Sequence, residues 1–376
     1  MTMPYGGGNM RQHHICNRRL PLRDAGLLEF ASDDPKVCDI LDELALQRDR
    51  EKGGRVWSAT YEEPAPLLQL VTALQRRLAP EQYRSLRCRI TYDDANDSGS
   101  DNGPAACPET DSSAYGEEDG WESVEFLFSR VGNDRISDLI LHRRFTSYLQ
   151  PIVRADGALF GYEFLLRPLP EHPPFRPAEL FSIARESGLH SFLDREARNS
   201  AIRVAARHVP NGIKKFVNFL PSSLYRPTSF LQETVSAIRS SGMDPADFVF
   251  EVVETEELHD IRHLSDIFKA YRGQGIRLAM DDLGEGHATL ETMERLQPDY
   301  IKLERDMVQG CHASLLKQSL IEKALERASR FGGTVLAEGV DDEKDWRYLR
   351  KAGVPLLQGY LFGRPSPVPV PAFVGA

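Results

Sequence analysis

The sequence predicts an α/β protein: a closed eight-stranded (β/α)8 barrel of the TIM type, preceded by a small α+β unit that carries an acidic insertion. Apolar strand-like and amphipathic helix-like segments alternate from about residue 131 to the end of the chain. Such alternation is typical of parallel strands joined by right-handed helical crossovers, and the number of segments fits eight strands better than five. The 376 residues suffice for a barrel and a smaller partner unit.

Residues 1–92 are predicted to form the small mixed unit. Two segments have helical periodicity and three read as strands: 35–49 and 64–79, then 55–61, 87–92 and 124–128. We find no nucleotide-binding loop or metal-ligand cluster in this region. By elimination, it is a candidate sensor or interaction module with a possible protein partner.

Residues 93–122 account for the charge of the chain. They contain ten Asp or Glu and no Lys or Arg, whereas the whole chain has a net charge of −10. Low hydrophobicity and like-charge repulsion predict a disordered loop or linker, with an acidic docking segment as the alternative. The stretch is either a hairpin insertion or a domain boundary. The remaining chain has no basic stripe, which argues against binding to duplex nucleic acid.

The cysteines and the hydropathy pattern predict a cytoplasmic location. Five cysteines are scattered without CxxC spacing, so neither a disulfide framework nor a zinc site is expected. No window approaches the 18 apolar residues that a membrane span needs, and the first 20 residues lack the apolar core of a signal peptide.

From residue 131 onwards, the predicted elements follow one another in the order that a barrel requires. The predicted helices are 133–149, 177–187, 192–208, 228–241, 259–275, a short helix before 299, 315–333 and 343–353. The predicted strands are 149–153, 157–169, 214–220, 247–254, 276–282, 299–304, 334–340 and 355–363. The barrel domain is therefore expected over residues 131–376.

Polar residues recur where these strands end: Glu163, Asn218, Glu251, Asp281, Asp282, Lys302, Glu338 and Gln358. Burying an unpaired carboxylate costs several kcal/mol, so isolated burial of each group is unfavourable. In an α/β barrel, the carboxyl ends of the strands converge on one rim, where these groups would meet. Oxygen ligands suit Mg²⁺ or Mn²⁺, and Ca²⁺ fits them too.

The segments GYEFLLR, VNFLPSSL, FEVVETEEL, DDLGEGHATL, YIKLERDMV, AEGVDDEKDWRYLRKAG and LQGYLFGRP, in that order, resemble the signature segments of the EAL family of cyclic di-GMP phosphodiesterases. The resemblance spans about residues 140–368. It implies hydrolysis of cyclic di-GMP to linear pGpG, with Mg²⁺ or Mn²⁺ as cofactor and Ca²⁺ as an inhibitory occupant. It also implies a homodimer formed through the barrel.

The resemblance implies a metal-binding set. Glu163, Asn218, Glu251 and Asp281 would hold one cation, and Asp281 would bridge to a second cation. Asp282 and Glu304 would contact that second cation.

The resemblance also implies catalytic and substrate-binding roles. Lys302 corresponds to the catalytic lysine. Glu338 and Gln358 would orient the attacking water or the metal shell, and Gln358 would also bind the substrate. Arg167 matches an arginine that grips a substrate phosphate, since a guanidinium binds two oxygens at once. Gln150 is a further substrate-contact candidate. Glu254 has an indirect catalytic role, because the matching glutamate braces the loop after the Asp pair.

The chain departs from the family pattern at two places. The lysine strand reads Lys302-Leu303-Glu304, where the family has aspartate in the last position, and one extra methylene moves the carboxylate by about 1.5 Å. The loop after the Asp pair carries Leu283 and Glu285 at positions that differ from the family. Two functions therefore stay open: a phosphodiesterase regulated by the N-terminal unit, or an inactive receptor that binds cyclic di-GMP or a protein partner and relays a signal.

Overall fold

The protein was analysed as a computed structural model, which describes residues 22–23, 25–44, 46–49, 54–92, 121–131, 134–220, 227–252, 261–283 and 290–370. Within these residues, the chain forms a five-stranded sheet and a closed eight-stranded barrel. The prediction of a barrel with a small N-terminal α+β unit is confirmed. None of the described helices has both the length and the apolar character needed to cross a lipid bilayer.

The N-terminal unit is an antiparallel sheet with strand order β2-β3-β1-β4-β5. Its elements are β1 (Gly26–Ser32), α1 (Pro35–Asp42), β2 (Gln47–Asp49), β3 (Val56–Tyr61), α2 (Pro64–Arg77), β4 (Leu86–Thr91), β5 (Glu122–Ser123) and α3 (Val124–Val131). Strands β4 and β5 pair with each other, so the acidic stretch connects two neighbouring strands of one sheet. All but the last two residues of that stretch lie outside the described residues.

The prediction of a strand at residues 124–128 is wrong, because these residues begin helix α3. Val124, Leu127, Phe128 and Val131 are all buried, and their spacing is that of one helix face. The first predicted helix also ends earlier, at Asp42, and its last residues form strand β2. The central strand β1 was not predicted.

The barrel closes in the order β10-β11-β12-β13-β6-β7-β8-β9. Its strands are β6 (Phe145–Arg154), β7 (Leu159–Pro168), β8 (Lys214–Phe219), β9 (Phe248–Val252), β10 (Arg277–Leu283), β11 (Tyr300–Leu303), β12 (Thr334–Ala337) and β13 (Leu356–Gln358). The described helices around it are α4 (Asp134–Leu141), α5 (Pro177–Glu186), α6 (His190–His208), α7 (Pro227–Ser240), α8 (Ile261–Gly273), α9 (Leu290–Leu296), α10 (Arg305–Val308), α11 (Leu315–Ser329) and α12 (Glu343–Ala352).

One strand departs from the predicted all-parallel arrangement. Strand β6 runs antiparallel to both of its neighbours, β7 and β13. Only residues 155–158 separate β6 from β7, and such a short connection can form a hairpin but cannot hold the crossover helix that parallel strands require.

An apolar layer fills the barrel below the polar rim. Its buried residues are Ile152, Phe216, Val249, Ala279, Tyr300, Leu336 and Leu356. Because side chains alternate along a strand, the residue two positions after such a layer residue points inward again. Asn218 follows Phe216 in this way, and Glu251 follows Val249. The rim groups therefore form the next layer towards the carboxyl ends of the strands.

The N-terminal unit and the barrel share one hydrophobic core. The barrel and its helices contribute buried residues from α4, from the start of β6, and from α5 to α6: Ile136, Leu139, Ile140, Phe145, Leu180, Ala184, Leu189, Phe192 and Leu193. They pack with the buried face of the N-terminal sheet and its helices.

Candidate functional site

Lys302 lies at the centre of a ring of carboxylates at the carboxyl ends of the barrel strands. Its Nζ is 2.6 Å from Glu338 Oε1 and 3.1 Å from both Glu251 Oε1 and Asp281 Oδ1. Glu163 Oε1 is 3.5 Å away. These residues come from strands β7, β9, β10 and β11 and the end of β12, so closing the barrel is what brings them together.

Strand register explains how two amides join this cluster. Asn218 pairs in register with Glu251, and its Nδ2 donates a hydrogen bond to Glu163 Oε1 at 3.3 Å. Gln358 Nε2 donates to the other oxygen of Glu163 at 2.7 Å. Gly359 allows the backbone after Gln358 to lie against Val340, because a Cβ at that position would be 2.1 Å from Val340 O.

The charges in the cluster do not balance. Four carboxylates surround one ammonium group, and Glu163, Glu251 and Lys302 are each more than nine-tenths buried. Burial alone would lower the pKa of Lys302, but Asp281, Glu163, Glu251 and Glu338 together raise it well above 10.5. The lysine therefore stays positively charged at neutral pH and cannot act as a base.

The carboxylates respond to the same imbalance in different ways. Burial raises the pKa of Glu338 to about 8, although the Lys302 charge opposes this shift. Burial and the neighbouring carboxylates also raise the pKa of Glu251 well above 4.5. For Glu163, burial acts in the same direction, but Lys302 and the amides of Gln358 and Asn218 outweigh it and lower the pKa.

The cluster contains buried oxygens that lack a hydrogen-bond donor in the described part of the chain. They are both carboxylate oxygens of Glu251, Glu338 Oε1 and Gln358 Oε1. Glu251 Oε1 and Glu338 Oε1 face Lys302 as ion-pair partners, without the alignment of a hydrogen bond. Burying oxygens without a partner costs folding free energy. We therefore expect a further positively charged group to bind here.

The donors fit a hard divalent cation in chemical type and charge. They are carboxylate and amide oxygens, which Mg²⁺ and Mn²⁺ prefer, and they carry an excess of negative charge. Among the described residues, no three His, Cys, Asp or Glu side chains converge as a ready metal cage. We attribute this to the Lys302 ammonium, which lies between the carboxylates.

The other predicted site residues take no part in the four ion pairs of Lys302 or lie outside the described residues, and Gln150 pairs in register with Glu163. Gln150 is buried, and its Nε2 donates to Gly363 O at 3.3 Å. Arg167 lies four residues beyond Glu163 on β7, and its Nη1 donates to Leu166 O at 2.7 Å. Glu304 is partly exposed and directly precedes α10. The side chain of Asp282 and all of Glu254 lie outside the described residues, as does Glu285 in the loop that departs from the family pattern.

One buried residue beside the cluster was not among those predicted. Asp194 on α6 accepts a hydrogen bond from the backbone N–H of Leu220, which follows β8. In the sequence, Asp194 and Arg198 have the i, i+4 spacing of an ordinary surface ion pair. No local signal shows that both are buried.

Comparison with known proteins identifies related chains. The EAL-domain family model matches residues 133–365. The chain is 30% identical over 237 residues to an uncharacterized signaling protein of Caulobacter vibrioides. The aligned segment covers 62% of this chain and 28% of that protein. It is 26% identical over 244 residues to the cyclic di-GMP phosphodiesterase PdeL of Escherichia coli. This alignment covers 63% of this chain and 67% of PdeL.

A solved structure shows the same relationship. It is a standalone versatile EAL protein from Vibrio cholerae in its c-di-GMP-bound form, with 30% sequence identity and a TM-score of 0.54. The match covers 59% of this chain and 92% of that structure. The residues matched by the family model, 133–365, contain all eight strands of the barrel.

Proposed function

The chain belongs to the EAL-domain family, and on that premise we propose that it hydrolyses cyclic di-GMP to linear pGpG in a metal-dependent reaction. One observation carries this proposal: Lys302 lies within 3.5 Å of four carboxylates at the rim where α/β barrels place their chemistry. Several of the relatives are named as cyclic di-GMP phosphodiesterases.

Residues of this chain would hold Mg²⁺ or Mn²⁺ at the rim. Glu163, Asn218, Glu251 and Asp281 would bind one cation, and Asp281 would share a second with Asp282 and Glu304. When bound, such cations neutralise the phosphate and lower the pKa of a coordinated water.

Lys302 and Glu338 would act on the attacking water. The permanently charged Lys302 ammonium would donate a hydrogen bond to it and stabilise negative charge that develops during attack. Glu338 lies 2.6 Å from that ammonium. Once Glu338 has lost its own proton, on cation binding or above about pH 8, its carboxylate would accept a proton from the same water and fix its orientation. Arg167 would bind a substrate phosphate through its planar guanidinium group.

A second function is favoured by Glu304. The carboxylate assigned to the second cation lies on a side chain one methylene longer than aspartate, just before α10. Metal sites tolerate ligand displacements of only a few tenths of an ångström, so a weakened second site would leave a protein that binds cyclic di-GMP without cleaving it. In that case, the chain would be a receptor that relays a signal.

Hydrolysis and binding measured on the same preparation test the proposal. Purified protein is incubated with cyclic di-GMP and Mn²⁺, and the nucleotides are separated by liquid chromatography. We expect pGpG from the wild type, and none from Glu163→Gln. A control variant, Glu343→Gln on the exposed surface of α12, should retain full activity. Micromolar binding without product would refute the enzyme and support the receptor.

The N-terminal unit would regulate this reaction. Its core is continuous with the starts of β6 and α6, so a change in that unit reaches the barrel directly. A homodimer formed through the barrel and a protein partner for the N-terminal unit are further parts of the proposal.

A further inference from the structure

A buried ion pair connects α6 to the end of β8. Asp194 and Arg198 are both 2% exposed, and Arg198 Nη1 donates to Asp194 Oδ2 at 3.1 Å. The other oxygen of Asp194 accepts a hydrogen bond from Leu220 N at 3.0 Å. Replacing a buried pair with apolar residues is often neutral for stability, so overall stability alone does not explain it. Its geometry ties one helix to one backbone amide.

That amide lies next to the candidate metal site. Leu220 is two residues after Asn218, whose side chain donates to Glu163 Oε1 at 3.3 Å. A strand rises about 3.3 Å per residue, so the Leu220 N–H lies about two such steps along the backbone from Asn218. Metal sites require donors placed within a few tenths of an ångström. The bond from Asp194 therefore fixes the part of β8 that presents Asn218.

The residues just before Asp194 in α6 contact the N-terminal unit. Ser191 Oγ donates to Leu22 O at 2.9 Å, and Leu22 N donates to Gly188 O at 3.1 Å. Phe192 and Leu193 are fully buried in the core that the unit shares with the barrel. These residues immediately precede the carboxylate that holds β8.

We propose that Asp194 is a positioning residue, which links the packing of the N-terminal unit on α6 to the placement of Asn218 in the metal site. This proposal rests on the metal-dependent function proposed above and names the route by which the N-terminal unit acts on it. A movement of the N-terminal unit that shifts α6 would also shift Asn218, and this would change the affinity of the site for divalent cations.

The first experiment measures Mn²⁺ binding to the Asp194→Leu variant of the full chain by isothermal titration calorimetry. Leucine has a side chain of similar shape but no acceptor oxygen, so both the bond from Leu220 N–H and the ion pair with Arg198 are lost. Loss of a residue that orients a metal ligand typically weakens metal affinity by about 10–100-fold, and we expect a loss in this range. Ser200→Ala is the matched control, because Ser200 is also buried on α6 but bonds to Ser147 of β6. Its Mn²⁺ affinity should equal that of the wild type.

A double-mutant cycle tests the link to the N-terminal unit. Ser191→Ala removes the hydrogen bond to Leu22 and should weaken Mn²⁺ binding in the wild-type background. It should have no further effect in the Asp194→Leu background, because the bond to Leu220 N–H is already lost. Additive effects of the two substitutions would overturn the link.

An NMR measurement separates this proposal from the proposed function. In metal-free protein labelled at asparagine, the side-chain amide signal of Asn218 is assigned by its loss in Asn218→Asp. This signal should shift in Asp194→Leu and not in Ser200→Ala. An unchanged signal together with wild-type Mn²⁺ affinity would refute the positioning role. If the wild type binds no Mn²⁺, the proposed function fails, whereas the Asn218 signal still decides whether Asp194 positions that side chain.

Discussion

Replacing Lys302 with methionine tests whether the lysine neutralises the carboxylate ring. The substitution keeps an unbranched side chain of similar length and removes the buried charge. Four carboxylates then face one another without their cation. Removing one partner of a buried pair costs about 3–5 kcal/mol. For a barrel of this size, one kcal/mol corresponds to roughly 2–4 °C, so the melting temperature should fall by roughly 6–20 °C in EDTA.

The loss should depend on pH with a defined sign. The folded-state pKa of Lys302 lies above its ordinary value of 10.5, so its stabilisation is complete below pH 10.5 and is lost only above that value. The pKa values of Glu251 and Glu338 are raised, so the folded state binds extra protons between about pH 4.5 and 8 and loses stability as the pH rises through that range. Without the lysine these pKa values rise further. The variant should therefore be more severely destabilised at pH 9 than at pH 6.

The assay is thermal unfolding followed by circular dichroism at pH 6 and pH 9, in EDTA and in Mn²⁺. Mn²⁺ should restore much of the lost stability, because a cation that binds only the folded state stabilises it. Lys215→Met is the control. Lys215 is also fully buried, and its Nζ is 3.3 Å from Asp247 Oδ2. It lies near the amino end of β8, so Mn²⁺ should not restore the stability of this variant. A Lys302→Met variant as stable as the wild type at pH 9 in EDTA would refute this reasoning.

Three further predictions concern the metal site. Since burial raises the pKa of Glu338 to about 8, Mn²⁺ should displace protons below that pH, and its apparent affinity should rise by up to about tenfold per pH unit before levelling off. Calorimetry in buffers of different ionisation enthalpy measures the released protons, and a pH-independent affinity would contradict the proton assignment. Glu304→Asp should increase pGpG formation if the longer side chain limits the second cation site; an unchanged rate would exclude that cause. Glu163→Gln should weaken Mn²⁺ binding by at least about tenfold, whereas the Mn²⁺ affinity of Glu343→Gln should be unchanged.

The sequence was sufficient to predict the barrel and the residues around Lys302. A polar residue near the end of an apolar strand is a local pattern, and closing the eight strands into a barrel places such residues on one rim without further information. Glu163, Glu251, Asp281 and Glu338 come together for this reason. Their metal-binding and catalytic roles are predictions that the proposed measurements test.

Other features depend on long-range packing that local patterns do not show. Residues 124–128 were assigned to a strand because they are aromatic and apolar, but the buried face of α3 becomes evident only over the longer stretch to Val131. The antiparallel direction of β6 could have been inferred from its short connection to β7. The burial of Asp194 and Arg198 could not have been inferred from the sequence, because their i, i+4 spacing is equally typical of an exposed ion pair.

Anomalous diffraction from crystals soaked in MnCl₂ shows directly whether the residues around Lys302 bind a divalent cation. We expect a manganese peak about 2 Å from carboxylate oxygens of Glu163, Glu251 and Asp281 and from the amide oxygen of Asn218. Glu163→Gln crystals should show a weaker peak or none. A strong manganese peak elsewhere on the protein, with none in this cluster, would contradict the claim that these residues form a divalent-cation site.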